Sequence, residues 1–365
     1  MNSISLTIHR LNKAFNEIDT KWMKRKRKLN TATIFSTMHQ AFVRDRGIAH
    51  ILEETLDVSA MALSKARSKI PVGVFADVNR VLVRTMSPRI LAVDGSKVRV
   101  NPSFIKEGFS PRTNNCPVSR PALHPLAMLT AVVDVDTKCC VAHSVTRHFN
   151  ERKGIIDILP QLNKEDILVF DRGYFSRALL GAILKKGMHA VFRLKITAFR
   201  GCKQFFHSNK VESRIPILGC GMVRLVKYRI DGNWYACLTT LPQNRYSAKA
   251  VKAMYGQRWR VEEFFKRLKS TLKLETSHSK TSRGFLQEVD MRILTDTITL
   301  LTQERMKVIL PKQKRPLSYI RTCETTVGII LNRLIRIVEH YQFVTKAIKC
   351  KFKNKMELNV ATVLE

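Results

Sequence analysis

Acidic side chains are scarce in this sequence. Its 365 residues carry 29 Asp and Glu against 64 Lys and Arg, a formal net charge of +35. A surplus of that size points to a polyanionic partner, because neutralising phosphates releases their condensed counterions. Anionic membrane is the rival polyanion, but no basic amphipathic segment or lipidation signal is evident. Long apolar runs are also missing, and nothing approaches the ~18 residues of a membrane-spanning helix. The opening MNSISLTIHRLNKAF has neither a continuous apolar stretch nor a cleavage site, so a cytoplasmic location is expected. None of the eight cysteines forms a C-x-x-C pair. That argues against structural zinc and a disulfide framework, and fits a reducing compartment. There is no internal repeat. With 45% hydrophobic and 25% charged residues, the chain has the composition of a folded protein, and its length predicts about two domains.

Residues 1–88 read as helical and contain the basic run KWMKRKRK at 21–28. The apolar pattern IAHILEETL at 48–56 is followed by Asp57 and Ser59 as candidate N-caps, then by AMALSKARSKI, stopping at Pro71. Two short helices about a tight turn fit a DNA-reading helix-turn-helix or an ordinary helical hairpin.

From residue 89 the texture changes. ILAVDGSKVRV (90–100) reads as a strand ending at Asp94-Gly95-Ser96, and a Pro- and Asn-rich loop follows over 101–125. Strands are expected at 126–136 and 138–148, about the turn Asp136-Thr137. EDILVFDRGYF (165–175) reads as a buried strand ending at Asp171, with a helix at 175–187 and a strand at 189–195. Residues 196–241 alternate with turn residues, and Asp231-Gly232 marks a hairpin. One long helix is expected over 246–275, with further helices at 284–307 and 317–348. The pattern predicts a mixed α/β core with an insertion, between helical flanks.

In so basic a chain the position of each acid is informative. Asp94 and Asp171 both end hydrophobic strands, where α/β folds build sites, although either alone also suits a turn. Glu262 lies within YGQRWRVEEFFKRLKS (255–270). At ~100° per residue, Tyr255, Arg258 and Lys269 fall within about 60° of it on one continuous helix face, while Glu263 is about 100° away. Surface pairing of Arg258 with Glu262 explains part of that stripe, but not the aligned tyrosine and lysine. Three carboxylates on a basic protein suggest a two-metal phosphoryl-transfer site with Mg²⁺, which takes hard oxygen ligands.

Together these residues resemble the DDE transposases of bacterial insertion sequences, in the insertion-sequence-four family. Tyr255-x2-Arg258-x3-Glu262-x6-Lys269 matches its signature in full, and Asp94-Gly95-Ser96 and Asp171-Arg172-Gly173-Tyr174 match its other two motifs. The resemblance covers roughly 90–300. It implies an α/β fold with a ribonuclease-H-like catalytic core at 89–300, interrupted by an all-β insertion at about 196–241. Helical regions would flank that core, at 1–88 for binding element ends and at 301–365 for dimerisation or DNA contact. It makes Asp94, Asp171 and Glu262 the catalytic, metal-binding triad for two Mg²⁺ (or Mn²⁺) ions, and it places Tyr255, Arg258 and Lys269 on DNA phosphates. The implied partners are double-stranded DNA, as element ends and target, and a second copy of the chain in a homodimer. The implied chemistry is cleavage at the element ends, through a hairpin, and transfer of the 3′-OH into target DNA. Trp234 would stack on a flipped base, or is simply a strand aromatic. A nuclease of the same fold that cuts without joining is the alternative, as is a decayed, non-catalytic DNA binder.

Elsewhere, His124, His143 and His148 match no metal spacing. Asp134 and Asp136 straddle a turn, and Asp134 has a second reading near the site. Ser96 has no evident His/Asp partner. Glu151, after the third strand, is the next acid expected to support the site.

Overall fold

The computed structural model describes residues 3–23, 28–44, 46–83, 86–111, 124–277, 279–309 and 318–328. The centre of the basic run 21–28, residues 112–123 of the loop 101–125 and nearly all of the apolar run 327–338 lie outside the described residues, as does the helix expected over 317–348 beyond 328. In chain order the main elements begin with α1 (Ser3–Trp22), α2 (Thr31–Arg44), α3 (Ile48–Thr55), α4 (Ala60–Arg67) and α5 (Val74–Leu82). Next come β1 (Ile90–Arg99), β2 (Leu126–Asp134), β3 (Cys140–Thr146), α6 (Glu151–Ile158), β4 (Ile167–Phe170), α7 (Arg177–Lys185) and β5 (His189–Arg193). The series continues with α8 (Arg200–His207), β6 (Glu212–Ile217), β7 (Gly221–Ile230), β8 (Asn233–Thr239), α9 (Ala248–Gly256), α10 (Trp259–Lys266) and α11 (Ser282–Ile309). Two compact units result, one from 1–83 with 267–365, the other from 84–266.

The first unit is helical. Its core gathers Phe15, Phe35 and Phe75, with ring centroids 5.6 to 6.4 Å apart, around Met291, Leu294 and Ile298 of α11. Ser59 is the N-cap of α4, its side chain accepting from the Ala62 N–H at 3.2 Å, while Asp57 takes a left-handed φ of 50°. A polar seam also runs along α11. Glu288 accepts from Arg67 and Arg292 at 3.3 and 3.2 Å, and Asp296 accepts from Arg267 and the Tyr319 phenol, each at 2.6 Å. Charges this deeply buried persist because each has a partner.

The second unit is built on an eight-stranded mixed sheet in the order β3-β2-β1-β4-β5-β8-β7-β6. β1, β2 and β3 form an antiparallel meander, β4 and β5 run parallel to β1, and β8 returns antiparallel on β5. The Asp231-Gly232 turn holds positive φ at both residues, as a tight β7–β8 hairpin requires. Residues 196–241 do not form an all-β stretch, because α8 precedes the three strands, and those strands extend the main sheet. The alternation that marks the strands carries no information on α8, which is short and strongly two-faced with Cys202 and Phe205 inward.

Two further expectations change. β1 does not end at Asp94 but continues to Arg99, because β2 pairs along it from Leu91 to Arg99. The helix expected over 246–275 is broken. α9 stops at Gly256, the Arg258 N–H turns back to the Tyr255 carbonyl at 3.0 Å, α10 begins at Trp259, and Arg267–Thr271 is π-helical. Gly256 is exposed and a poor helix interior residue, and the helix breaks there. Among the described residues no helix is long and apolar enough to cross a membrane.

Candidate active site

The register of the parallel strands assembles the site. β1 pairs with β4 only through Val93 opposite Phe170, and β4 pairs with β5 through Phe170 opposite Phe192. The next residues on the three strands, Asp94, Asp171 and Arg193, therefore emerge side by side, on strands ~4.8 Å apart. An Arg193 nitrogen lies 3.9 Å from Asp171 Oδ1. The Gly95 N–H donates to Asp94 Oδ1 at 2.8 Å.

Across the break between them, α9 and α10 bring three more predicted residues to this row. The Tyr255 phenol donates to Asp171 Oδ1 at 3.0 Å. Arg258 lies 3.5 Å from Asp94 Oδ2 and ion-pairs with Glu262. Asp94, Asp171, Glu262, Tyr255 and Arg258 thus meet at one place, although the continuous helix used to align them does not exist. The three carboxylates stay part-exposed, at 26%, 38% and 34% for Asp94, Asp171 and Glu262, whereas the Arg258 side chain is only 15% exposed.

The two aspartates are held differently. Burial pushes the Asp94 carboxyl up, and the charges of Asp171 and Glu262 add to that, more than the Gly95 N–H and Arg258 offset. Burial acts on Asp171 in the same sense, but the Arg172 N–H, the Tyr255 phenol, Arg258 and Arg193 together bring it below the usual carboxylate value. One acid is thus short of positive charge and the other well supplied.

Arg193 is the member of this row that sequence reasoning missed. Its guanidinium lies over the rings of Tyr235 and Tyr255, 4.7 and 5.9 Å from their centroids. The available signal was positional, since HAVFRLK places Arg193 at a strand end as EDILVFD places Asp171. Trp234 is a hairpin residue opposite Arg229, with the cations of Lys227 and Arg229 4.9 and 4.8 Å from its ring centroid, and it is 44% exposed. The neighbouring Tyr228–Tyr235 pair stands on the other hairpin face, the one that packs with Tyr255. Lys269 lies in the π-helical segment of the helical unit, 3.7 Å from Glu275.

Asp134 sits opposite Leu91, three residues before Asp94 on β1, and its carboxylate accepts from the Asp136 N–H at 3.0 Å as a turn former. Among the described residues no three His, Cys, Asp or Glu side chains are arranged to hold a metal ion as they stand. The donor chemistry at Asp94, Asp171 and Glu262 nonetheless fits a hard divalent cation, since all three are part-exposed carboxylates and their present counter-charges are arginines.

Comparison with known proteins gives the family. The family model described as "Transposase DDE domain" matches residues 85–295. The chain belongs to the DDE transposase family. Among solved structures this transposase is similar to the piggyBac transposase in a synaptic complex with hairpin DNA. The TM-score is 0.53 at 10% identity, over 98% of this chain and 82% of that one, a likeness of fold. No curated protein matches it.

Proposed function

We propose that this DDE transposase is a cut-and-paste enzyme of the insertion-sequence-four type, with a ribonuclease-H-like core in which Asp94, Asp171 and Glu262 are the catalytic, metal-binding triad. The observation that carries this reading is the convergence of Tyr255 and Arg258 on all three carboxylates. Two Mg²⁺ (or Mn²⁺) ions held by those carboxylates would supply Lewis acidity and an activated water. Arg258 and Tyr255, released from the carboxylates, would hold the scissile phosphate, and Arg193 would add charge beside the leaving strand. Hydrolysis breaks a P–O3′ bond and frees a 3′-OH at the element end. That hydroxyl then attacks a phosphodiester of the opposite strand, forming a new P–O bond as the P–O3′ bond there breaks and its 3′ oxygen leaves, to give a hairpin; hydrolysis of the hairpin frees the 3′-OH again, and the same displacement in target DNA joins the strands. The neighbour's complex with hairpin DNA supports the hairpin route. Lys269 would contact an end phosphate, and Trp234, flanked by two cations, would stack on an unpaired base. The helical N-terminal region would read the element ends, and a homodimer would hold both ends together.

The test is incubation of a labelled duplex carrying the element end with protein, in Mg²⁺ or EDTA, resolving nicked, hairpin and joined products. Metal-dependent nicking and joining, lost in Asp94→Ala, Asp171→Ala and Glu262→Ala while DNA binding persists, is expected. Wild-type cleavage by any folded triad variant overturns the triad, and nicking without joining turns the reading to a nuclease.

A further inference from the structure

Successive strand residues face opposite sides of a sheet, so the Asp94 side chain and the empty side-chain position of Gly95 lie on opposite faces of β1. A Cβ on Gly95 would stand 2.9 Å from Glu151 Cγ and 3.3 Å from its Cδ. Glu151 fills the space that glycine leaves, and so reaches the Asp94 peptide from beneath. Its position is set by α6, which is clamped at several points. The Asn150 side chain caps the helix by accepting from the Lys153 N–H at 3.1 Å. Arg152 donates twice to the Gly173 carbonyl, at 3.1 and 2.8 Å, tying the helix start to the turn after Asp171. Gly154 seats the helix on β2, where an added Cβ would come 2.3 Å from Thr130 Oγ1. The buried Tyr174 phenol, three residues after Asp171, faces the Glu151 carboxylate, and Lys97 supplies a counter-charge. Burial and then the charge of Asp94, with a smaller contribution from Asp171, raise the proton affinity of Glu151, more than the Tyr174 phenol and Lys97 offset.

We infer that Glu151 is a positioning residue for the Asp94–Asp171 pair, bracing β1 beneath Asp94 through Gly95 and the turn after β4 beside Tyr174, and adding a fourth negative charge that strengthens divalent-cation binding there. The inference rests on the triad reading proposed above. It is tested on the full chain by titrating Mn²⁺ alone, with free Mn²⁺ followed by electron paramagnetic resonance, beside a thermal melt. Glu151→Gln keeps the shape and removes the charge, so Mn²⁺ affinity is expected to fall about tenfold at an unchanged melting temperature, as loss of a supporting group around a metal site commonly does. Glu151→Asp, which retains the charge, should recover part of the loss. Asp94→Asn is the control. If it abolishes Mn²⁺ uptake while Glu151→Gln stays within twofold of wild type, the inference is overturned and the triad stands. If Asp94→Asn binds as wild type does, the triad reading itself fails, and a wild-type chain that takes up no Mn²⁺ overturns both. Should Glu151→Gln not fold, Gly95→Ala displaces the carboxylate with its charge intact. It is expected to weaken Mn²⁺ in the same direction, and unchanged affinity there overturns the inference.

Discussion

Gly154→Ala tests whether α6 is held as tightly as the site requires. Gly154 lies mid-helix, where alanine by itself would stabilise by about 1 kcal/mol. Here the added Cβ would stand 2.3 Å from Thr130 Oγ1, 3.0 Å from Thr130 Cβ and 3.2 Å from Ser144 Oγ. The shortest of these falls about 1.2 Å below an ordinary ~3.5 Å contact. Neither obstacle is the far end of a flexible side chain, since Thr130 is fully buried in β2. The helix must therefore lift off the sheet, breaking the Ser144 Oγ–H to Gly154 carbonyl hydrogen bond of 3.1 Å. Overpacking of this kind costs about 1–3 kcal/mol, beyond the helical gain. For a unit of this size the melting temperature should fall by roughly 2–4 °C per kcal/mol. Thr130→Ala removes the 2.3 Å obstacle, and Thr130 Oγ1 makes no hydrogen bond among the described residues that would be lost. The double variant should therefore recover stability relative to Gly154→Ala, a coupling readable in a double-mutant cycle of thermal and urea melts. A Gly154→Ala protein as stable as wild type, or strictly additive variants, would refute the claim that α6 is clamped on β2.

The helical unit offers three further tests, one of them of the phosphate contact proposed for Lys269. Glu288→Gln leaves Arg292, a fully buried cation, without its counter-charge, and should destabilise by about 3–5 kcal/mol in denaturant titrations; a loss below 1 kcal/mol would contradict the seam's role. Burial and the nearby Arg44 lower the His39 pKa from 6.5 to about 4, so only the unfolded chain takes up a proton in that window. Stability should then be level above pH 6.5 and fall by up to about 3 kcal/mol as the pH drops to about 4, a slope that His39→Leu should flatten. Lys269→Ala should weaken binding to element ends uniformly across sequences and reduce the slope of log K against log salt by about 1, whereas an unchanged slope would count against a phosphate contact there.

Much of this transposase was legible in one dimension. The strands that carry Asp94 and Asp171 follow from short β-branched runs, the end of β4 at Asp171 from the acid that stops its run, the hairpin from Asp231-Gly232, and the N-cap from Ser59, because each signal is a local backbone preference. The spacing Tyr255-x2-Arg258-x3-Glu262 likewise identified side chains that meet, even though the helix joining them is broken. What the sequence could not decide depends on pairing between distant segments. That β1 runs past Asp94 depends on β2 being there to pair with it. Arg193 joins the row because β5 lies in register with β4, and Glu151 reaches the site because α6 packs against an empty side-chain position on β1. Register and close approach are set by which surfaces bury one another, and that information is spread over residues far apart in the chain.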